Sequence, residues 1–99
     1  MYKYKNPYIL DFRNIQYYLE MHQIIKETFD FPDYYGANWS AFWDCLTDMV
    51  GRPIRIQILG LDVLEKKFSG SSEKMLEILE RLRHWCDDKY INDISIEIM

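Results

Sequence analysis

The spacing of apolar residues changes period several times along the chain, and each change marks an element. Tyr8-Ile9-Leu10-Asp11-Phe12 is short, β-branched and aromatic, which predicts a strand. Beyond it, Ile15, Tyr18, Leu19, His22, Ile25 and Phe29 recur mostly at steps of three and four. That spacing predicts an amphipathic helix, with Asn14 as its cap and Pro32 forbidding its continuation. Asp30 to Gly36 reads as a loop. A second helical stripe follows in Trp39, Phe42, Trp43, Leu46, Met49 and Val50, with Asn38 placed to cap it, Gly51 to end it and Pro53 to prevent its extension. Ile54-Arg55-Ile56-Gln57-Ile58-Leu59 alternates apolar and polar through Ile58 and predicts the clearest strand. Asp62 with Glu65 three residues on resembles a capping box and predicts a short helix from Asp62 to Phe68. Ser69 to Ser72 is a turn whose serines can cap a fourth helix, with Glu73 in its first turn and a stripe of Met75, Leu76, Ile78, Leu79, Leu82 and Cys86. Ile94 to Ile98 alternates again as a third strand.

Strand, helix, helix, strand, helix, helix, strand is an α/β order. Long helical crossovers imply parallel pairing and right-handed connections. The expectation is one domain over residues 1–99, with a three-stranded parallel β-sheet packed with about four α-helices. The alternation of two strands implies a sheet covered mainly on one face.

Composition narrows the function. Of 99 residues, 48% are apolar and 16% aromatic, which supports a real core and excludes intrinsic disorder. Sixteen acidic residues against twelve basic ones give a net charge of −4. This disfavours direct nucleic-acid binding and suits a basic protein partner. Two cysteines are too few for a disulfide scaffold. The apolar run Tyr8–Leu10 is too short for a signal peptide, and no run approaches a membrane span. The expected location is cytoplasmic, with reduced thiols and no membrane contact.

Most chemical constellations are weak. There is no glycine-rich phosphate loop. Cys45 or Cys86 with His22 or His84 could form a nucleophilic pair, but Cys45 sits beside an aromatic stripe, where packing is its ordinary role. His84, Cys86, Asp87 and Asp88 lack the second spaced pair of a metal site. His22, on an apolar stripe, reads as a core histidine with a hydrogen-bond partner. No metal, cofactor or catalytic residue is assigned. The helix beginning at Trp39 is more informative. Ser40, Asp44, Thr47 and Asp48 lie on its polar side, and Asp44 and Asp48 are one turn apart. They lack a nucleophile or orienting group for acid–base work, but suit Arg or Lys on a partner. Tyr34, Tyr35, Trp39 and Trp43 surround them, and such residues are enriched at binding hot spots. On composition alone, a binding face and ordinary packing both remain open.

The stretch from Phe31 to Thr47, Phe-Pro-Asp-Tyr-Tyr-Gly-Ala-Asn-Trp-Ser-Ala-Phe-Trp-Asp-Cys-Leu-Thr, resembles the signature of the barstar family, and His22-Gln23 fits it as well. That family comprises small intracellular inhibitors of secreted bacterial ribonucleases. The resemblance implies a barstar-like fold and a loop and second helix that plug the nuclease active site. It implies that Asp44 enters the phosphate-binding pocket, with Tyr34, Asn38, Trp39, Trp43 and Thr47 on the same face. There are departures. Ser40 stands where the family has a second aspartate, Asp48-Met49 replaces a glycine–tryptophan pair, Glu80-Arg81 reverses an Arg-Glu pair, and extra residues occur around Asp87–Asn92. Asp48 restores acidity one turn later, which adds Ser40 and Asp48 to the candidate face.

The resemblance therefore implies a cytoplasmic, bacterial, monomeric inhibitor or immunity protein. Its partner would be a basic ribonuclease, extracellular or a toxin. Two alternatives stand beside it. One is an adaptor using the same face on a partner that is not a nuclease. The other is a small enzyme using Asp44 and Asp48 as an acid–base pair.

Overall fold

The computed structural model describes residues 5–48, 54–87 and 94–99, with residues 85–87 described by their backbone alone. The chain runs β1 (Tyr8–Asp11), α1 (Tyr18–Phe29), α2 (Trp39–Thr47), β2 (Ile54–Leu59), α3 (Leu61–Lys67), α4 (Ser71–Asp87) and β3 (Ile94–Ile98). The strands form one sheet in the order β1-β2-β3, and both pairs are parallel. The fold is thus the expected α/β arrangement of a three-stranded parallel sheet and four helices.

Register explains why one face of the sheet is apolar. Ile56 lies opposite Tyr8 and Ile96, Ile58 opposite Leu10 and Ile98, and Ile54 opposite Ile94. Because side chains alternate, these positions fall on one face. Tyr8, Leu10, Ile54, Ile56, Ile58 and Ile94 are buried there. The strand order advances in one direction, so two crossovers of the same hand leave every helix on that side. The other face carries Ile9, Arg55, Gln57 and Glu97, with Arg55 Nε donating to Glu97 Oε1 at 2.7 Å. The helices close the core with Met21, Ile25 and Phe29 from α1, Phe42, Cys45 and Leu46 from α2, Leu64 from α3, and Met75, Leu79 and Leu82 from α4. Each such side chain is worth roughly 1.5–3 kcal/mol of transfer free energy.

Several local expectations give way to tertiary choices. The first helix starts at Tyr18, not after Asn14. Glu20 satisfies its free donors by accepting the Gln16 and Tyr17 N–H groups at 2.9 and 2.7 Å. Leu19 is exposed and Met21 takes the core position, because the buried arc is Met21, His22, Ile25 and Phe29. The helix ends before Pro32 is reached: Asp30 adopts a left-handed φ of 57°, and Phe31 N–H donates to Lys26 O at 2.9 Å. The third helix begins at Leu61 without an Asp62 capping box. Its N-cap is Gly60 at φ 76°, where a Cβ would lie 2.6 Å from the Arg13 nitrogen. That contact admits only glycine. The stripe positions Met49 and Val50 and the stops Gly51 and Pro53 lie outside the described residues.

Candidate partner-binding face

Residues 30–38 connect α1 to α2 through aromatic packing. Phe31 is buried, stacks on Phe29 with centroids 5.3 Å apart, and meets Tyr35 at the same separation. Tyr35 N–H donates to Pro32 O at 3.0 Å, which turns the chain so that consecutive tyrosines diverge. Tyr35 is buried and shares a 2.7 Å hydrogen bond with His22 Nδ1, whereas Tyr34 is 75% exposed. His22 is therefore the partnered core histidine that its position predicted. Its ring also packs against Tyr18 and Trp39, at 5.6 and 5.1 Å. Its Nε2 is buried with no hydrogen-bond partner. Desolvation holds the His22 pKa below its ordinary value and pushes the Tyr35 phenol up. Both side chains are thereby kept neutral near pH 7.

Asn38 makes the junction with α2 rigid. Its Oδ1 accepts from Ala41 N–H at 2.8 Å and its Nδ2 donates to Gly36 O at 3.1 Å. The predicted cap is thus present. Both bonds hold the turn from Gly36 into the first turn of α2. Phe42, Cys45 and Leu46 turn inward and anchor the helix. Trp39 and Trp43 are half-buried against the core, with Trp39 at 5.8 Å from the Phe42 ring. Both tryptophans are thus part core and part surface.

On the outer side, Trp39, Ser40, Trp43 and Asp44 line one wall of a groove of about 610 Å³. The opposite wall is α4, which contributes Lys74, Glu77, Ile78 and Arg81. Arg81 places its guanidinium carbon 4.2 Å from the Trp43 ring centre. Asp44 is exposed, and its carboxylate takes no hydrogen bond or ion pair among the described residues. Its backbone carbonyl instead receives the Thr47 hydroxyl at 2.8 Å, which pins Thr47 to the helix. Asp48 is exposed and caps the C-terminus, one step past the helix. The structure thus gathers Trp39, Ser40, Trp43 and Asp44 in one groove. Tyr34 is carried on the preceding loop, and Thr47 and Asp48 at the far end of α2.

Sequence reasoning did not assign the α4 wall to this face. Lys74, Glu77 and Arg81 flank the buried stripe of α4 at helical spacing, a visible signal of one shared edge. Nothing in that spacing says which helix lies alongside. Among the described residues, no group of three or more His, Cys, Asp or Glu side chains is placed to hold a metal. The Cys86, Asp87 and Asp88 side chains of the weak metal candidate lie outside the described residues. Cys45 is buried, and no described helix is long and apolar enough to cross a membrane.

Residues 6–96 match the family model described as Barstar (barnase inhibitor). The chain is also 31% identical over 80 residues to a protein of Bacillus subtilis (strain 168) named "Putative ribonuclease inhibitor YrdF". That alignment covers 81% of this chain and 85% of the relative.

Proposed function

The chain belongs to the barstar family, and from that premise we propose that it inhibits a basic ribonuclease, extracellular or delivered as a toxin, by occluding its active site. The observation that carries this reading is the Asp44 carboxylate, exposed on α2 in the same groove as two half-buried tryptophans and without a hydrogen-bond or ion-pair partner among the described residues. A ribonuclease gathers cationic donors around the scissile phosphate. A carboxylate offers those donors fixed acceptor oxygens and forms strong charge-assisted hydrogen bonds. Asp44 is the phosphate mimic in this account. Tyr34, Trp39 and Trp43 supply apolar contact area, Ser40 and Thr47 complete the polar surface, Asn38 orders it, and Asp48 adds acidity at its end. The chain performs no reaction and needs no cofactor. It acts as a cytoplasmic monomer in a bacterium that must survive the nuclease, which is the role of an immunity protein. Its net charge of −4 steers it toward a basic partner, so association slows as salt rises.

The test is to titrate the chain against barnase while following RNA cleavage, with wild type and Asp44→Ala side by side. Stoichiometric inhibition that weakens strongly in the variant is the expected result. Truncating one member of a buried interfacial charge pair costs on the order of 2–5 kcal/mol, a range drawn in part from barnase and barstar themselves. Equal inhibition by both would remove Asp44 from the mechanism. Absence of inhibition would exclude barnase as a target, and partner binding that survived Asp44→Ala but not loss of Trp39 or Tyr34 would favour the adaptor.

A further inference from the structure

The groove beside Asp44 has a second wall of mixed charge. Lys74, Glu77 and Arg81 line it from α4 at helical spacing. Glu77 and Arg81 stand four residues apart in the order that favours an ion pair along a helix. No such pair forms. Arg81 lies instead over Trp43, at 4.2 Å from the ring centre. A guanidinium over an aromatic face keeps N–H donors at its edge for a carboxylate. Neither Arg81 nor Lys74 forms an ion pair among the described residues, and the Arg81 guanidinium lies over Trp43. The margin of the acidic face therefore carries two cations, Lys74 and Arg81, with Glu77 between them in sequence, and Arg81 lies over the same tryptophan that flanks Asp44.

We propose that Arg81, with Lys74 two turns earlier on the same wall, is a specificity residue that receives an acidic side chain of the partner. The inference rests on the ribonuclease-inhibitor reading and narrows it. The groove fits a ribonuclease that offers a basic group to Asp44 and, beside it, a carboxylate to Arg81. A second cation facing Arg81 is penalised by like-charge juxtaposition in a desolvating interface, which excludes partners that are basic throughout the contact. Bidentate pairing of arginine with a carboxylate adds orientation as well as attraction.

A charge-swap selection tests this. Catalytically inactivated barnase is displayed as a library randomised around the rim of its active site. It is selected separately on the wild-type chain, Arg81→Glu and Asp44→Ala. Arg81 is exposed, and far-ultraviolet circular dichroism checks that the variants remain folded. The expected result is at least about tenfold enrichment of Asp or Glu at one rim position by the wild type, and of Lys or Arg at the same position by Arg81→Glu. Enrichment of the same residues by both chains, with Asp44→Ala retaining few clones, would overturn the role of Arg81 and leave the inhibitor reading standing. Retention of no clones by any chain would exclude barnase-type partners, as absence of inhibition would, and would overturn the pairing built on them.

Discussion

Two links join one helix directly to the next, and they are built on opposite principles. Between α3 and α4 the connection is short, Phe68 to Gly70: Phe68 packs onto Tyr18 at 5.6 Å and the rest is held by polar contacts. Gly70 takes a φ of 91° in open space, and Glu65 gathers Gly70 N–H at 2.9 Å, Ser69 Oγ at 3.3 Å and the Ser72 hydroxyl. Between α1 and α2 the connection is longer and aromatic, with Phe31 and Tyr35 buried and Tyr35 bonded to His22. It also holds two non-glycine residues in the left-handed region, Asp30 at φ 57° and Ala37 at φ 51°. Ala37 costs roughly 1–2 kcal/mol there relative to ordinary backbone, whereas aspartate tolerates this region more readily. The shorter link reverses the chain through polar contacts beyond Phe68. The aromatic link keeps that strained backbone through its buried contacts, and in return exposes Tyr34 and seats Trp39 on the His22 ring. Strain and large buried side chains occur together where the proposed partner face is held, as expected when structure over-determines a functional segment.

The largest effect that would break this contrast is Phe31→Ala. Removing a buried ring from the aromatic link should cost about 3–5 kcal/mol in urea unfolding. A loss below about 1 kcal/mol would mean that the loop is not anchored by packing. Next is Tyr35→Phe, which removes the His22 hydrogen bond and should cost about 1–3 kcal/mol. His22 also gives this region a pH signature. Its pKa is lowered in the fold by burial, so the unfolded chain takes up that proton first. The stability involved is complete above the ordinary histidine value of about 6.5 and declines as pH falls from there toward the folded pKa. The urea midpoint should therefore fall between pH 7.5 and 5.5, and His22→Asn should flatten that slope.

Smaller effects sharpen the comparison. Ala37→Gly should stabilise the chain by about 1 kcal/mol, because glycine relieves a left-handed residue. No gain in thermal midpoint would mean that Ala37 carries no strain. The smallest change is expected at the polar link. Hydrogen bonds from Ser72 and Gly70 depress the Glu65 pKa. Its contribution is present above the ordinary carboxylate range and is lost as pH falls through the lowered value. Comparison of Glu65→Gln with wild type at pH 7 and pH 3 should show the difference shrinking in acid.

The sheet and the helix order were legible because they follow from periodicity. The alternation of Ile54, Ile56 and Ile58 and the stripe of Met75, Leu79 and Leu82 leave few alternatives. The α2 junction was legible for a local reason: Asn38 sits just before its helix and caps it. The misread ends, Asn14 and Asp62–Glu65, share a cause. A polar side chain near a helix end has several free backbone groups within reach, and the route of the chain decides among them. In α1 the Glu20 side chain reaches back from inside the helix, in α3 Gly60 takes the N-cap, and Glu65 turns forward to the next link. The candidate face was half visible. Trp39, Ser40, Trp43 and Asp44 are neighbours along one helix, so spacing groups them. Lys74, Glu77 and Arg81 join them only because α4 packs beside α2, which no local pattern encodes.

The central claim, that Asp44 occupies the site of a substrate phosphate, is tested most directly by competition. The affinity of the chain for barnase would be measured at rising concentrations of inorganic phosphate, with ionic strength held constant. The account predicts that the apparent Kd rises in proportion to phosphate occupancy for the wild type and changes little for Asp44→Ala. A wild-type Kd indifferent to phosphate, with both bound to the nuclease together, would contradict it.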